Sequence, residues 1–324
     1  MANYTGIQGQ NILIVSSDPA NPTEGQIWYN STTNLLKGYQ FATVNAFASG
    51  GNLNTSRSGL AGTGTQTSAL AFGGYSTART GATELYNGTS WTSSPNSMNT
   101  ARLYFAGAGT QTAALGFGGY LQTPTATTST EEWDGTSWTS QTPSALTPRY
   151  AHGGCGTQTA ALAFGGSPYT TILSSTQNYD GSAWTSGGSL NSGRMYLYGT
   201  GISTAALAFG GFTSPPNTAA TEAYNGTSWT SVNSMNTARR VLAGAGTQTA
   251  TVAFGGYTST AVASTELWNG TSWTNNPTGL ATARSTLYGA GTQTAGLAFG
   301  GDGPSAVTEE WTGQALATRT ITTS

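Results

Sequence analysis

Residues 156–166 read GTQTAALAFGG, and near copies begin at Gly64, Gly109, Gly246 and Gly291, with a looser one at Gly201. A catalytic centre needs its reactive groups once, whereas an architectural unit that cannot bury its apolar face alone is copied and stacked. Taking the Gly-Gly pair as a marker, the first glycines are Gly73, Gly118, Gly165, Gly210, Gly255 and Gly300, spaced by 45, 47, 45, 45 and 45 residues. A second marker, the Trp after an NGTS-type turn, keeps step at Trp91, Trp138, Trp184, Trp229 and Trp273. The period lies in the roughly 40 to 50 residues of a propeller blade.

Within one period, residues 102–140 hold four short extended segments, LYFAGAG, AALGFGG, TEEW and SWTS. They are too short for ordinary helices, and the Asn-Gly or Asp-Gly between the third and fourth predicts a tight antiparallel hairpin. The fold class is therefore all-β. Four strands per unit repeated radially make a propeller. Gly and Ala in the first two strands read as steric necessities near the axis, and Phe72, Phe117, Phe164, Phe209, Phe254 and Phe299 as packing between blades.

Closure is predicted as well. Residues 46–57, AFASGGNLNTSR, align without a gap on residues 183–194, AWTSGGSLNSGR, with Phe47 in place of Trp184. This is a fourth strand with no third strand before it, while the last unit ends at TEEWTG and lacks its SWT. An N-terminal outer strand then completes a sixth four-stranded blade. The tail TRTITTS, residues 318–324, also alternates like a strand, and could compete for or flank the same edge.

The balance of residues excludes several classes. Charged residues are 7% of the 324, against roughly 25% in an ordinary soluble protein, and Lys37 is the only lysine. A nucleic-acid surface needs clustered cations, so none is expected. Regularly spaced aromatic residues argue against disorder. No apolar run approaches the roughly 20 residues that cross a bilayer, and the opening MANYTGIQGQ shows no basic segment followed by an apolar one. Cys155 is the sole cysteine, so no intrachain disulfide forms.

Gly73, Gly74, Tyr86, Trp91 and Arg102 together resemble the kelch propeller pattern, over Phe47 through Gly313. The pattern departs between Tyr86 and Trp91, where many kelch repeats have a longer connection. Residues 18–40, DPANPTEGQIWYNSTTNLLKGYQ, belong to no repeat and predict a hairpin of Gln26–Tyr29 with Leu35–Tyr39. That stretch resembles a hairpin of bacteriophage tail-fibre and related virion proteins, and the blades resemble those of phage-encoded kelch-like proteins. The resemblance implies a virion protein in two parts, residues 1–40 as an attachment segment and residues 41–324 as a six-bladed propeller. Other tail or capsid proteins are the partners expected through residues 1–40; a homo-oligomer on the particle is left open.

Each candidate for chemistry has a plainer alternative. His152 and Cys155 form an H-x-x-C pair, but a structural zinc needs four ligands and the chain has no other His or Cys; no metal or cofactor is expected. The same shortage excludes the copper oxidases built on kelch-like blades. A sialidase-like glycosidase would clamp a carboxylate with arginines, and Arg57, Arg102, Arg149, Arg194, Arg239 and Arg284 do stand one per unit. Six equivalent copies point instead to a structural ring, bonded to Glu84, Glu131, Gln177, Glu222, Glu266 and Glu309 or to carbonyls. If exposed, each pair would contribute only about 0 to 1 kcal/mol. The DGTSW at residues 134–138 also differs from the sialidase Asp-box. Gly-x-Gly strings lack the helix of a dinucleotide site, and the sequons at Asn87, Asn225 and Asn269 read as hairpin turns.

The copies differ most after Gly-Gly. GTQT and NGTS scarcely change, while the second-to-third connections run from YSTARTGA to DGPSAV and share a face with the fourth-to-first connections. Tyr75, Tyr120, Tyr169, Phe212 and Tyr257 begin or occupy five of them, offering flat surfaces to carbohydrate or protein. The expected function is non-catalytic binding of a host-surface glycan or protein by a virion component. A purely structural tail or capsid-decoration role and a glycosidase are the alternatives.

Overall fold

The structure, a computed structural model, describes residues 12–23, 25–41, 45–122, 125–142, 146–314 and 316–321. Among them no helix occurs. The chain divides into two compact units, Asn45–Gly313 and a smaller one that joins Met1–Val44 to Gln314–Ser324. The eleven C-terminal residues thus leave the repeat unit to which residues 41–324 were assigned, and the division falls at 44 rather than 40.

Within Asn45–Gly313 the described residues form six four-stranded antiparallel sheets, an arrangement compatible with a propeller. The first consists of Ala61–Thr65, Ser68–Phe72, Thr83–Tyr86 and Trp91–Ser93. Its outer hairpin closes through Asn87, whose Oδ1 accepts from the backbone N–H of Thr89 and Ser90 while Gly88 takes φ +94°. An Asx turn of this kind explains why the third and fourth strands are joined by NGTS. The last sheet takes Tyr288–Gly291, Ala295–Phe299 and Thr308–Thr312 from the end of the repeats and Ala46–Ser49 from their beginning, with Phe47 opposite Trp311.

Each first strand lies against the first strand of the next sheet, and Tyr288–Gly291 lies against Ala61–Thr65. What allows the approach is the absent side chain in the middle of each first strand. A Cβ on Gly62 would stand 2.5 Å from the Phe299 ring and one on Gly154 2.7 Å from Phe117. The phenylalanine of one second strand occupies the space that the next sheet's glycine leaves. The same ring also packs on the outer strand of that next sheet, as Phe72 on Trp138 at 4.8 Å, Phe164 on Trp229 at 4.8 Å and Phe299 on Trp91 at 5.1 Å. Phe254 meets Phe47 at 5.3 Å in the one place where tryptophan is missing.

Three further sets of bonds stitch neighbouring sheets. The glutamine of GTQT donates to two carbonyls of the preceding sheet; Gln111, for example, reaches Ala69 O at 2.9 Å and Tyr86 O at 2.6 Å. Gln66, Gln158, Gln248 and Gln293 repeat the contact, and Ser203 stands where the sixth would be. The second glycine of each Gly-Gly, held at positive φ, donates its N–H to the carbonyl of the next sheet's arginine, from Gly74 to Arg102 around to Gly301 with Arg57. Six backbone N–H groups form a cycle: Gly59 donates to Thr286, Thr286 to Val241, Val241 to Tyr196, Tyr196 to Ala151, Ala151 to Tyr104 and Tyr104 back to Gly59. All six residues have φ between +47° and +58°, although only the first is glycine. Bulky residues hold this conformation only where the surroundings over-determine it, and a closed cycle of hydrogen bonds does so.

The space between the first strands is partly filled, leaving a cavity of about 110 Å³ that residues of all six line. Tyr198 and Tyr288, which replace the Ala or Gly of other first strands, meet at 5.3 Å, and Tyr198 Oη donates to Gly289 O at 2.8 Å.

In the smaller unit the predicted hairpin is Ile27–Asn30 with Leu35–Phe41. Leu13–Val15 pairs in parallel with its first strand and Leu316–Thr320 antiparallel with its second. The tail, left open in the sequence, therefore adds a strand here. Asp18 ties the sheet together, accepting from Lys37 Nζ at 2.6 Å, Asn30 Nδ2 at 2.8 Å and Trp28 Nε1 at 3.0 Å. Those hydrogen bonds, that of Lys37 foremost, hold its carboxyl down to about 2. Residues 1–11 of the attachment segment lie outside the described residues.

Candidate functional site

The arginine ring shows how the variable loops are held. Arg57 is fully buried and pairs with Glu84 at 2.8 Å; Arg102–Glu131, Arg194–Glu222, Arg239–Glu266 and Arg284–Glu309 lie at 2.7–3.2 Å. All five pairs are buried, not exposed. Arg57 Nη1 also donates to Gly73 O and Ala82 O, the two ends of the loop between the second and third strands. Arg149 Nη1 grips its loop in the same way through Gly165 O and Ser175 O, while Arg102 bonds Ser129 O at the far end of its loop and Gly116 O within the second strand. Each carboxylate in turn accepts backbone N–H groups from the incoming connection, as Glu84 from Asn54 at 2.6 Å and Glu131 from Asn99 at 2.7 Å. The ring is therefore a set of internal staples at the base of the variable loops, with no guanidinium left to clamp a substrate. Burial lowers the pKa of Arg102 and Arg149 to about 10, which leaves both charged near neutrality. In the third sheet Arg149 meets Gln177 Oε1 at 3.1 Å rather than a carboxylate.

One residue beyond five of the six arginines the chain bridges to the start of a loop: Ser58 to Tyr75, Leu103 to Tyr120, Tyr150 to Ser167, Met195 to Phe212 and Arg240 to Tyr257. The loop aromatics are thus brought onto one face with the fourth-to-first connections. Of the five predicted, Tyr75 and Tyr169 are exposed, at 39% and 49%, while Tyr120, Phe212 and Tyr257 are half-buried. The half-buried ones are partnered: Tyr120 meets Tyr150 in a tilted contact at 5.3 Å with Arg79 at 5.4 Å, and Arg240 lies 5.0 Å from Phe212 and 4.9 Å from Tyr257.

The first-to-second and third-to-fourth turns carry none of this variety, being occupied by the glutamine contacts and Asx turns. Sequence reasoning missed Tyr104, Tyr150, Tyr196 and Arg240, which follow the arginine ring and join the loop face. Tyr104 and Tyr196 meet edge to face at 5.6 Å above the hydrogen-bonded cycle. Burial raises both phenol pKa values. Their signal was present in the departures from repeat, since Tyr104 and Tyr196 occupy the place of Gly59.

A groove of about 510 Å³ opens beside Phe212 and Arg240, lined also by Pro215, Pro216, Asn217, Ala238, Thr258 and Ser259. Arg240 Nη1 donates to Asn217 Oδ1 at 3.0 Å, and Asn217 Nδ2 is anchored on Tyr257 O and Thr258 O. Asp302 is the acidic group of this face, and it accepts from Ser285 N at 3.2 Å and from the hydroxyls of Ser285 and Thr286.

Cys155 is buried in the first strand Gly153–Gly156, and His152 is buried immediately before it. The imidazole stands in the place of a core leucine, 5.5 Å from Phe117, with Nδ1 3.1 Å from Gly153 O and Nε2 3.2 Å from Phe117 O. Burial, reinforced by the Arg149 charge, lowers its pKa to about 3, and burial raises the Cys155 thiol to about 12. Among the described residues no three His, Cys, Asp or Glu come together to hold a metal ion.

No family model matches the chain, and no curated protein matches it in sequence.

Proposed function

We propose that Asn45–Gly313 is a six-bladed kelch-like propeller of a phage particle, that residues 1–40 attach it to other virion proteins, and that the variable-loop face binds a host-surface glycan or protein without catalysis. The observation that carries this reading is the asymmetry of the two faces. One repeats the same glutamine and asparagine contacts; the other displays loops of different sequence, stapled at their base and set with aromatic side chains. Rigidly held aromatic surfaces suit recognition, because little conformational freedom is lost when a ligand stacks on them.

The full chain should bind host cells or an arrayed set of host glycans saturably. Tyr120→Ala with Tyr257→Ala should weaken that binding by about tenfold or more, the scale of central aromatic contacts. Unchanged binding by this variant, or none by the parent chain, overturns the reading. A purely structural place on the particle is favoured by a different feature, the edge strand Leu13–Val15, which leaves Leu13 and Ile14 49% and 71% exposed. On that reading particles lose the protein when residues 1–40 are deleted, and host binding is absent.

A further inference from the structure

The chain carries ten Lys and Arg. Six arginines are the buried staples, and Lys37 is paired with Asp18. The side chain of Arg319 lies outside the described residues. Arg79 and Arg240 remain, and neither makes an ion pair among the described residues. Both lie over aromatic rings of the variable loops. Apart from Arg149, which is buried opposite Gln177, the unpaired positive charge among the described residues of Asn45–Gly313 lies on the variable loops, and of the two arginines there Arg240 lines a groove.

The surroundings of Arg240 restrict what it can bind. Phe212 and Tyr257 each attract the guanidinium through their π-faces, and Asn217 takes Nη1. What is left is the hydrogen-bonding edge, and a guanidinium edge matches a carboxylate in a fork. No carboxylate lines the groove to compete for it. The rest of the lining is short and uncharged: proline and phenylalanine offer apolar surface to the C–H face of a sugar ring, and Thr258 and Ser259 offer hydroxyls to its hydroxyls. The volume lies within the roughly 300–1,000 Å³ of small-ligand sites. We infer that this groove takes the carboxylate of an acidic saccharide, a uronic or sialic acid residue, on Arg240. The inference rests on the loop face being a binding surface and names the ligand class for one part of it.

The test is calorimetric titration of the full chain with trigalacturonate, a glucuronate oligosaccharide and sialyllactose, each beside its methyl ester or, for sialyllactose, lactose. At least one acid should bind saturably, and its uncharged counterpart about tenfold or more weakly, the scale of a lost charge-assisted pair. Arg240→Gln should lose the difference between acid and counterpart, and Arg240→Lys should recover part of it because an ammonium cannot present a fork. Should Arg240→Gln fail to fold, the acid-against-ester comparison on the parent chain decides alone. Equal binding of acid and counterpart, or binding by none of the acids, overturns the inference. Neutral glycan binding that falls in the Tyr120→Ala, Tyr257→Ala variant would remove the acidic ligand yet leave the loop face as a binding surface; its absence as well would remove both.

Discussion

His152 is the place where one residue sets a pH dependence. The folded chain keeps the imidazole neutral down to about pH 3, because burial and then the Arg149 charge oppose protonation more than the carbonyls of Gly153 and Phe117 favour it. An unfolded chain protonates the same ring near its ordinary 6.5. Between these values the unfolded state binds more protons, so stability rises with pH across the window and is lost on acidification from about 6.5 toward 3. Equilibrium urea unfolding at a series of pH values should show that loss, and His152→Leu, which installs the residue that precedes four other first strands, should flatten the profile there. An unchanged slope in the leucine variant would show that other groups carry it. The neighbouring staple sharpens the contrast, since Arg149 is the buried arginine facing an uncharged glutamine. Breaking a buried ion pair by removing one partner costs about 3–5 kcal/mol, which is why the five paired staples tolerate so little variation.

At the scale of the strand, Ala46–Ser49 differs from the other fourth strands by one substitution with a legible consequence. Trp91, Trp138, Trp184, Trp229 and Trp273 each donate Nε1 to a third-strand threonine of the preceding sheet at 2.9–3.0 Å. Phe47 has no donor, and the corresponding Thr265 Oγ1 is buried without a partner. Phe47→Trp should supply the missing bond and raise stability by about 0.5–1.5 kcal/mol, while Trp229→Phe should orphan Thr176 and cost about 1–3 kcal/mol. Denaturant midpoints of the two variants read both effects, and a destabilising Phe47→Trp would mean that the indole does not fit there. The sequence showed this strand and its register, because fourth strands carry a marker every 45 residues or so and a displaced copy stands out. It did not show the threonine or the glutamine contacts. Those join residues of adjacent sheets, and a period identifies equivalent positions without saying which of them touch. The Leu13–Val15 strand was equally hidden, since parallel pairing leaves no turn signal between partners.

For the repeat unit as a whole, the cycle of backbone bonds from Gly59 through Thr286 and the stitch from Gly301 to Arg57 place the first and last repeats in direct contact, and the two ends of the unit meet in the last sheet. There the bond between the ends is not covalent but the pairing of Glu309–Thr312 with Ala46–Ser49. A chain of residues 45–313 should therefore unfold in one cooperative transition. A chain of residues 50–313 loses the ring contacts of Phe47 with Phe254 and Trp311 and leaves Thr308–Thr312 as an open edge. Losing a large aromatic from a packed site costs about 3 kcal/mol or more, and an uncovered strand invites pairing with a second chain. Urea unfolding followed by tryptophan fluorescence, with sedimentation to detect association, should find the shorter chain less stable and self-associating. Equal stability of the two would mean that the inner cycle alone holds the repeats together, and that the outer strand only covers an edge.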